Sequence, residues 1–252
     1  VFKDSSAIDI KVTVKERWYI YPTPQFQLVD RNFNEWINVY NADLNRVIYG
    51  AKFAHYNFSG RRDQLRIFLL NGYARNFAAS YISPYSNRTL TEGFSIAASF
   101  TQNREIAYAT SPGNKLKQYN NQQQFVRNVF SASASYIARK GYFNRHSYVL
   151  LFTYMNVEDS IVKFYNPSYF NSAKPFREFL DMGYNYSYLN VNNVNYPLTG
   201  KSFGFSVLKR GLGFTGGTNM LQLDVSYNRY FDLGKKWYGS LQGGTKLKLP
   251  FR

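Results

Sequence analysis

The sequence is short of the residue types on which most enzymes rely. It contains no cysteine and only two histidines, His55 and His146, which are far apart and have no acidic cluster beside them. Disulfides and thiolate chemistry are therefore excluded, and a metal site or catalytic triad lacks its usual residues. The 15 acidic residues include no pair that the sequence singles out for acid–base work. We expect no enzyme activity, no metal and no cofactor.

Long apolar runs are also missing. The longest, such as Tyr148 to Phe152, have the length of a strand, whereas a membrane helix needs about 20 consecutive apolar residues. A membrane-spanning helix is therefore excluded. The first residues, Val1 to Ser6, lack the basic and then apolar layout of a signal peptide. We expect the sequence to begin inside a longer protein.

Acidic residues are outnumbered by the 31 basic residues, which gives a net charge of +16. The basic residues are scattered through turns and strand ends, and they form no basic helix or stripe, so nucleic-acid binding is not favoured. In a β-barrel they would line the lumen or meet anionic lipid headgroups at the rims. Dispersed solubilising charge explains them equally well.

What the sequence has in excess is aromatic side chains, 23 Tyr and 22 Phe, together with a period-two alternation of apolar and polar residues. This alternation places successive side chains on opposite faces of a sheet, and aromatic girdles are typical of membrane barrels. The residues predicted to face lipid are Phe94, Ile96, Phe100, Leu221, Leu223, Val225, Leu241 and Leu247. The residues predicted to face the lumen are Lys52, Arg127, Arg139, Gln222, Asp224, Lys246 and Lys248. For Lys52 and Asp224, ordinary luminal hydration is the alternative to a specific role.

Turn residues divide the chain into about ten or eleven barrel strands. The predicted strands are 18–29, 47–58, 64–77, 94–101, 126–139, 146–157, 178–190, 201–208, 221–228 and 237–249. Short turns at 57–61 and 139–141 contrast with long polar stretches at 103–123 and 163–177, as short periplasmic turns and long outer loops do. An alternating segment around 8–14 predicts the last strand of a preceding soluble domain.

Two other interpretations of the sequence are less well supported. A soluble β-sandwich or ligand-binding barrel also alternates, but it would bury its large apolar residues inside, whereas here the other face carries small polar residues. The segment Gly211 to Gly216 matches the dinucleotide-binding fingerprint letter for letter. That motif must open a helix, whereas a strand is predicted to follow, so the glycines indicate a bend or a tight loop.

The start of the chain carries a family resemblance. Residues 16–24, Glu-Arg-Trp-Tyr-Ile-Tyr-Pro-Thr-Pro, followed by 30–36, Asp-Arg-Asn-Phe-Asn-Glu-Trp, resemble the BamA/TamA bacterial surface-antigen superfamily, particularly its versions from Bacteroidetes-type bacteria. The segments 49–61, 216–221 and 233–238 are similar to further strands of that family. The resemblance covers most of the chain and implies an all-β fold, a transmembrane antiparallel barrel of sixteen strands preceded by periplasmic POTRA domains.

The resemblance implies a division at residue 16. Residues 1–16 would end a POTRA-like domain, and 17–252 would form the N-terminal part of the barrel, with about ten or eleven of the sixteen strands. The family's Arg-Gly-Phe/Tyr element is expected after Phe251, where this sequence stops, and Arg210-Gly211-Leu212 lies too early to replace it. We therefore expect a chain truncated before that inserted loop and the closing strands.

The function implied by the resemblance is the insertion or translocation of other outer-membrane proteins through a lateral gate. The first barrel strand would pair imperfectly with the last, so that a client strand can add to its edge. The gate residues are Trp18, Tyr19, Ile20, Tyr21, Pro22, Thr23, Pro24, Gln25 and Phe26. Pro22 and Pro24 are expected to weaken the pairing of this strand because proline has no N–H. A distorted strand entrance without a gating role would explain them as well.

The implied location is the outer membrane of a Gram-negative bacterium, with the N-terminus in the periplasm. The expected partners are outer-membrane lipids and lipopolysaccharide, nascent outer-membrane proteins as clients, and accessory lipoproteins, but no nucleic acid. Two alternatives remain. A passive porin would select anions through Arg127, Arg139, Lys246 and Lys248, and a barrel could instead only anchor another domain.

Overall fold

Antiparallel β-strands make up most of the computed structural model, which describes residues 10–30, 32–172, 174–212 and 219–251. Within these ranges the strands are β1 (Ile20–Leu28), β2 (Val47–Tyr56), β3 (Gln64–Gly72), β4 (Ala74–Ser83), β5 (Glu92–Asn103), β6 (Glu105–Ser111), β7 (Lys115–Asn120), β8 (Arg127–Lys140), β9 (Asn144–Val157), β10 (Phe176–Val191), β11 (Gly200–Arg210), β12 (Met220–Gly234) and β13 (Trp237–Pro250). Eleven of them form one sheet in the order β1-β2-β3-β4-β5-β8-β9-β10-β11-β12-β13. The sheet is not closed, and β1 and β13 are its two edges.

Helical structure is confined to short connecting pieces in the described part of the chain. These are α1 (Phe33–Asn38), a 3-10 turn (Leu44–Arg46) and a π-helical turn (Ile161–Tyr165). Helix α1 begins after Asn32, whose side-chain oxygen accepts a hydrogen bond of 2.8 Å from the Glu35 N–H, as an N-cap residue does. No helix in the described ranges is long and apolar enough to span a bilayer.

The up-and-down order gives the sheet two distinct ends. We call the end at which β1 begins the near end, and the end at which β1 finishes the far end. The near end carries the short turns predicted at 57–61 and 139–141, and the far end carries the long connections 104–126 and 158–175. The predicted alternation holds for these four connections. It does not hold for the near-end connections 84–91 and 192–199, which have eight residues each, or for the far-end turn between β3 and β4, which is the single residue Tyr73.

One predicted strand, 64–77, is wrong because the structure divides it into β3 and β4 around Tyr73. The division occurs at Gly72, whose φ is +106°, a conformation that disfavours residues with a Cβ. A Cβ at Gly72 would also overlap the Val47 carbonyl oxygen. The dipeptide Asn71-Gly72 is a strong hairpin signal, but it lies inside an apolar pattern that continues on both sides.

The long polar connection predicted at 103–123 is present, but it contains a hairpin that was not predicted, β6–β7, which forms a separate two-stranded sheet. This hairpin belongs to a small hydrophobic core at the far end of the sheet. The buried members of that core are Ile106, Val126, Val157, Ile161, Val162 and Phe170. The second long connection, predicted at 163–177, contributes the π-helical turn, and β10 begins at Phe176.

Two further predictions fall partly outside the described residues. Residues 1–9 hold the start of the predicted POTRA-like strand, and 10–19, which are described, form no strand. In that segment Ile10, Val12 and Val14 are highly exposed, at 82%, 77% and 87%. Residues 213–218 include most of the Gly211 to Gly216 pattern, and strand β12 begins soon after, at Met220.

Candidate functional site

The strand register sorts the predicted residues onto two faces of the sheet. Directly paired residues of an antiparallel sheet project from the same face, and such pairs connect Phe77 to Phe100 to Phe130 and Val207 to Leu223 to Leu247. We call the first face the apolar face. It carries all eight residues that were predicted to face lipid, Phe94, Ile96, Phe100, Leu221, Leu223, Val225, Leu241 and Leu247. The opposite, polar face carries all seven residues that were predicted to face the lumen, Lys52, Arg127, Arg139, Gln222, Asp224, Lys246 and Lys248.

Large apolar side chains on the apolar face are exposed. Leu69, Ile96 and Leu241 have exposed fractions of 55%, 54% and 63%, and Met182 on β10 is similar. Soluble monomeric proteins rarely expose a contiguous apolar patch of more than a few hundred Å². A face of this kind across eleven strands therefore needs an apolar medium or another protein layer against it.

An aromatic row crosses the apolar face towards the near end. Rings in contact have centroids 5.2 to 6.5 Å apart, and the register pair Phe94 and Tyr136 joins the two halves of the row. The row consists of His55, Phe58, Tyr81, Phe94, Tyr136, Tyr148, Tyr184 and Phe205. Aromatic rings concentrate where hydrocarbon meets headgroups because one part of the side chain is apolar and another is polar.

A polar row crosses the same face at the far end. The Asn71 amide donates to the Tyr49 hydroxyl at 3.3 Å, and the Arg75 Nε donates to Asn71 Oδ1 at 2.7 Å. The Gln102 amide continues the row by donating to Asn128 Oδ1 at 2.6 Å. Phe94 and Gln102 lie on the same strand, β5, and are separated by roughly 26 Å at about 3.3 Å per residue. At the tilt of about 40° that strands of membrane barrels have, this length spans about 20 Å of bilayer, somewhat less than the apolar band of about 25 Å.

On the polar face, the structure brings together several of the predicted luminal residues around Asp224. Its Oδ2 accepts from the Gln222 amide at 2.7 Å and from the Ser206 hydroxyl at 3.3 Å, and its Oδ1 lies 3.0 Å from Lys246 Nζ. Lys248 pairs with Gln222 in the register of β12 and β13. The arrangement is a hydrated polar network, in which a partly exposed ion pair contributes little to stability.

The other predicted luminal residues are not part of that network. Arg127 and Arg139 lie at opposite ends of β8, where Arg127 contacts the Met155 sulfur at 3.8 Å and Arg139 donates to the Pro84 carbonyl at 2.8 Å. Lys52 lies on β2, close to the first edge of the sheet. The predicted basic residues therefore do not converge on one constriction.

The predicted gate strand is the edge strand β1, which spans Ile20–Leu28 rather than the predicted 18–29. Trp18 and Tyr19 precede the strand, although the Tyr56 N–H donates to the Tyr19 carbonyl at 2.9 Å. Beyond the other end, the Val29 N–H donates to the Arg46 carbonyl at 3.2 Å. The two bonds join positions that continue the β1–β2 register in both directions.

These two bonds fix which way each backbone group of β1 points. In an antiparallel ladder, the residues that bond to one neighbour alternate with residues that point away from it. Since Tyr19 and Val29 bond to the β2 side, the odd-numbered residues between them do so as well. The even-numbered residues, Ile20, Pro22, Pro24, Phe26 and Leu28, therefore direct their backbone groups to the free edge.

The structure specifies which pairing of β1 the prolines affect. Pro22 and Pro24 were expected to weaken the pairing of this strand; their ring nitrogens point away from β2, and the register with β2 is continuous from Ile20 to Leu28. What they remove is two donors from the free edge. Proline is tolerated on an edge strand for this reason, so β1 is firmly paired on one side and poor in donors on the other.

The far end of β1 is braced by the connection to β2. The Trp36 ring of α1 is buried and packs edge-on against Phe26 with centroids 5.7 Å apart, while its Nε1 donates to the Asp43 carbonyl at 2.9 Å. Arg46 Nε donates to Asp30 Oδ2 at 3.0 Å, which joins the two ends of the connection. This brace could not be predicted from the sequence, because residues 30–36 carry only a family resemblance and no pattern that pairs Trp36 with Phe26.

Asp63, in the near-end turn between β2 and β3, is a second residue that sequence reasoning missed. It is fully buried, and its oxygens accept from the Ser59 N–H at 2.9 and 3.1 Å and from the Tyr81 hydroxyl at 2.7 Å. Burial alone would raise the pKa of Asp63, but these hydrogen bonds outweigh it and lower the pKa to about 2. The carboxylate therefore holds the turn and is not available to a ligand.

Comparison with known proteins places the fold. No protein-family model matches the chain, and no curated protein sequence matches it. Among the solved structures, the crystal structure of BamA from Haemophilus ducreyi lacking POTRA domains 1–3 matches with a TM-score of 0.56 and 18% sequence identity. The match covers 82% of this chain and 39% of that chain, so this chain spans well under half of the structure it resembles. The fold is that of a BamA-like β-barrel.

Proposed function

We propose that this chain is part of an outer-membrane barrel that assembles or translocates other outer-membrane proteins through a lateral gate at β1. The observation that carries the proposal is the orientation of the prolines. Pro22 and Pro24 leave the free edge of β1 without two N–H donors, while the ladder to β2 is continuous. The likeness to BamA in fold supports an assembly-related role.

The proline edge would make the seam of a closed barrel weak. Every even-numbered residue of β1 offers a carbonyl to a partner strand, but only Ile20, Phe26 and Leu28 offer an N–H as well. The partner's carbonyls opposite Pro22 and Pro24 then have no donor, which is costly within a bilayer. A seam with fewer hydrogen bonds can be exchanged for a client strand by β-augmentation.

The brace at the far end would give the opening a direction. Phe26 packs on the buried Trp36, so the last third of β1 is held by the connection to β2. At the near end Tyr21 packs edge-on against Tyr56, with centroids 5.5 Å apart, but this contact lies within the β1–β2 pair itself, and Trp18 before the strand is 72% exposed. We expect the seam to part first at the near end, where residues that precede β1 would link it to periplasmic domains.

The proposed orientation places the near end in the periplasm and the far-end loops outside the cell. The aromatic row would then lie at the periplasmic interface, and the apolar face would contact lipid, with lipopolysaccharide around the far end. Nascent outer-membrane proteins are the proposed clients, accessory lipoproteins are proposed partners, and no bond-making step is involved. A porin is less well supported because Arg127, Arg139 and Lys246 do not meet.

A reversible crosslink in the full-length protein tests the gate. One cysteine would replace a residue of β1 whose backbone groups point to the free edge, such as Ile20. The other would be placed on the strand that closes the barrel. Oxidation should stop client assembly while the barrel remains folded and resistant to heat in detergent, and reduction should restore assembly. A matched crosslink between Ala51 and Leu69, which pair in β2 and β3, should leave assembly unchanged. Normal client assembly by the oxidised gate variant would reject the proposal.

A further inference from the structure

A basic cavity lies on the polar face at the near end of β1, β2 and β3. Its volume is about 900 Å³, and its walls include Tyr21 and Thr23 of the gate strand. Ala54 lies at its centre, because the register pairs it with Tyr21 on one side and with Arg66 on the other. In the next row of the same face, Lys52 pairs with Thr23 and with Phe68. The hollow exists because a methyl group occupies the position between larger side chains. We call it the basal cavity.

The charge in the basal cavity has one sign. Arg17, Lys52, Arg62 and Arg66 line it, and no Asp or Glu does. None of the four forms an ion pair with a described residue, and the side-chain partner of Arg66 is the neutral Gln64 at 2.8 Å. The nearby carboxylate, Asp63, is buried and bonded to Ser59 and Tyr81. Among the described residues, the cavity therefore has no counter-charge.

The position of the cavity limits what can supply that counter-charge. A strand added to the free edge of β1 would lie about 4.8 Å from it, and its polar-face side chains would stand beside Tyr21 and Thr23. The long stem of Lys52 can carry its charge past the small Thr23 towards such a strand. Arg66, one strand further in, can extend over the small Ala54 towards Tyr21 on the same side of the sheet. Lipid would meet the opposite face, so it is poorly placed to reach these groups.

We infer that the basal cavity binds carboxylate side chains on the strand that pairs with β1. The recognised segment is an extended peptide in which acidic residues alternate with apolar ones, so that the acids face Lys52 and Arg66 while the apolar residues face lipid. This inference rests on the proposed function, because it assumes that β1 receives a partner strand. It adds a chemical preference to a gate whose backbone pairing alone would accept any sequence.

Peptide binding to the full-length protein in uncharged detergent micelles tests the preference. The probes are two fluorescent nine-residue peptides, matched to the length of β1, with alternating Val and Glu or alternating Val and Gln. At low salt the Glu peptide should bind at least about tenfold more tightly, as charge-assisted hydrogen bonds predict. The preference should shrink as salt is added, because screening weakens exposed charge pairs. Equal affinities for the two peptides would overturn the inference.

Variants locate the preference. The double substitution K52Q/R66Q should abolish it, whereas the matched double substitution R127Q/K248Q, on the same face but away from the cavity, should retain it. The charge-conserving variant K52R/R66K should keep the preference. It controls for a folding defect caused by substitution at these two positions. Persistence of the preference in folded K52Q/R66Q would contradict the inference, as would its loss in K52R/R66K. Displacement of the Glu peptide by inorganic phosphate at equal concentration would also contradict it, by showing an unspecific anion site.

The two proposals can fail separately. If the peptides are not discriminated but the oxidised crosslink still blocks assembly, the gate stands and the carboxylate site does not. If the crosslink has no effect while the preference maps to Lys52 and Arg66, the cavity binds acidic segments by a route other than edge pairing, and the inference in its present form is rejected.

Discussion

At the scale of single residues, the environment of a side chain depends on whether it occupies an odd or an even position along the strand, because this decides the face of the sheet from which it projects. Leu223 and Gln222 are neighbours, yet Leu223 lies between Val207 and Leu247 on the apolar face, while Gln222 donates to Asp224 on the polar face. A one-residue shift of register would exchange these environments along the whole strand. The effect of a charge should therefore differ sharply between adjacent positions.

Arginine substitution at these two positions gives a direct comparison. Leu223→Arg should destabilise the barrel by about 2 to 4 kcal/mol if the position lies near the bilayer midplane, because the guanidinium would enter hydrocarbon. Gln222→Arg should cost much less, since the polar face is hydrated. Urea unfolding of the full-length protein in lipid vesicles measures both. Similar losses for the two variants would mean that the two faces do not differ in their surroundings.

At the scale of elements, β1 shows that the effect of a proline depends on the direction of its nitrogen as well as on its presence. Pro22 and Pro24 lie at positions where the strand needs no donor for β2, and Thr23 between them lies where it does. The same residue type is therefore neutral for the sheet at one position and disruptive at the next. This asymmetry is a property of the pairing, and the strand's own sequence does not contain it.

Moving the proline by one position tests this orientation. Thr23→Pro should destabilise the β1–β2 pairing by about 1 to 3 kcal/mol, because it leaves an acceptor on β2 without its donor. Pro22→Ala with Pro24→Ala should preserve that pairing, strengthen the seam and slow client assembly. Hydrogen exchange of the β2 amides reports the pairing, and Thr23→Ala controls for the lost side chain. Unchanged exchange in Thr23→Pro would show that the backbone orientation is wrong.

At the scale of the whole molecule, the two faces require two different surroundings. The apolar face exposes large side chains between an aromatic row and a polar row, while the polar face carries small residues, charges and the basal cavity. A soluble barrel would reverse this distribution, with its large apolar residues inside. The proposed location in a membrane follows from this distribution and from the fold.

Cysteine labelling tests that location, and it is clean because the sequence contains no native cysteine. Single cysteines at Phe94, Ile96, Leu223 and Leu241 should react with a lipid-soluble maleimide and resist a water-soluble one in proteoliposomes. Single cysteines at Ser95, Ser99, Gln222 and Gln242 should react with the water-soluble reagent. The measurement is the labelling rate of each variant. Equal aqueous labelling of the two sets would exclude the membrane barrel.

The sequence predicted the strands well wherever apolar and polar residues alternate without interruption. Strands β5, β8, β9 and β12 were found within their true bounds or close to them, because period two is a local property that each strand displays by itself. The β3–β4 hairpin was missed because apolar residues continue through Gly72. The hairpin β6–β7 was missed because its strands have only 7 and 6 residues and their few large apolar residues stand among polar ones, as Leu116 does between Lys115 and Lys117.

Sequence by itself determined the fold class, the alternation of faces and the absence of cysteine chemistry, because each depends on composition or on spacing along one strand. Only the tertiary structure decided which way Pro22 and Pro24 point, that Trp36 braces β1, and that Lys52 and Arg66 share a cavity around Ala54. These features depend on register, and register is set jointly by several strands. No single segment of the sequence specifies the contacts that form between segments.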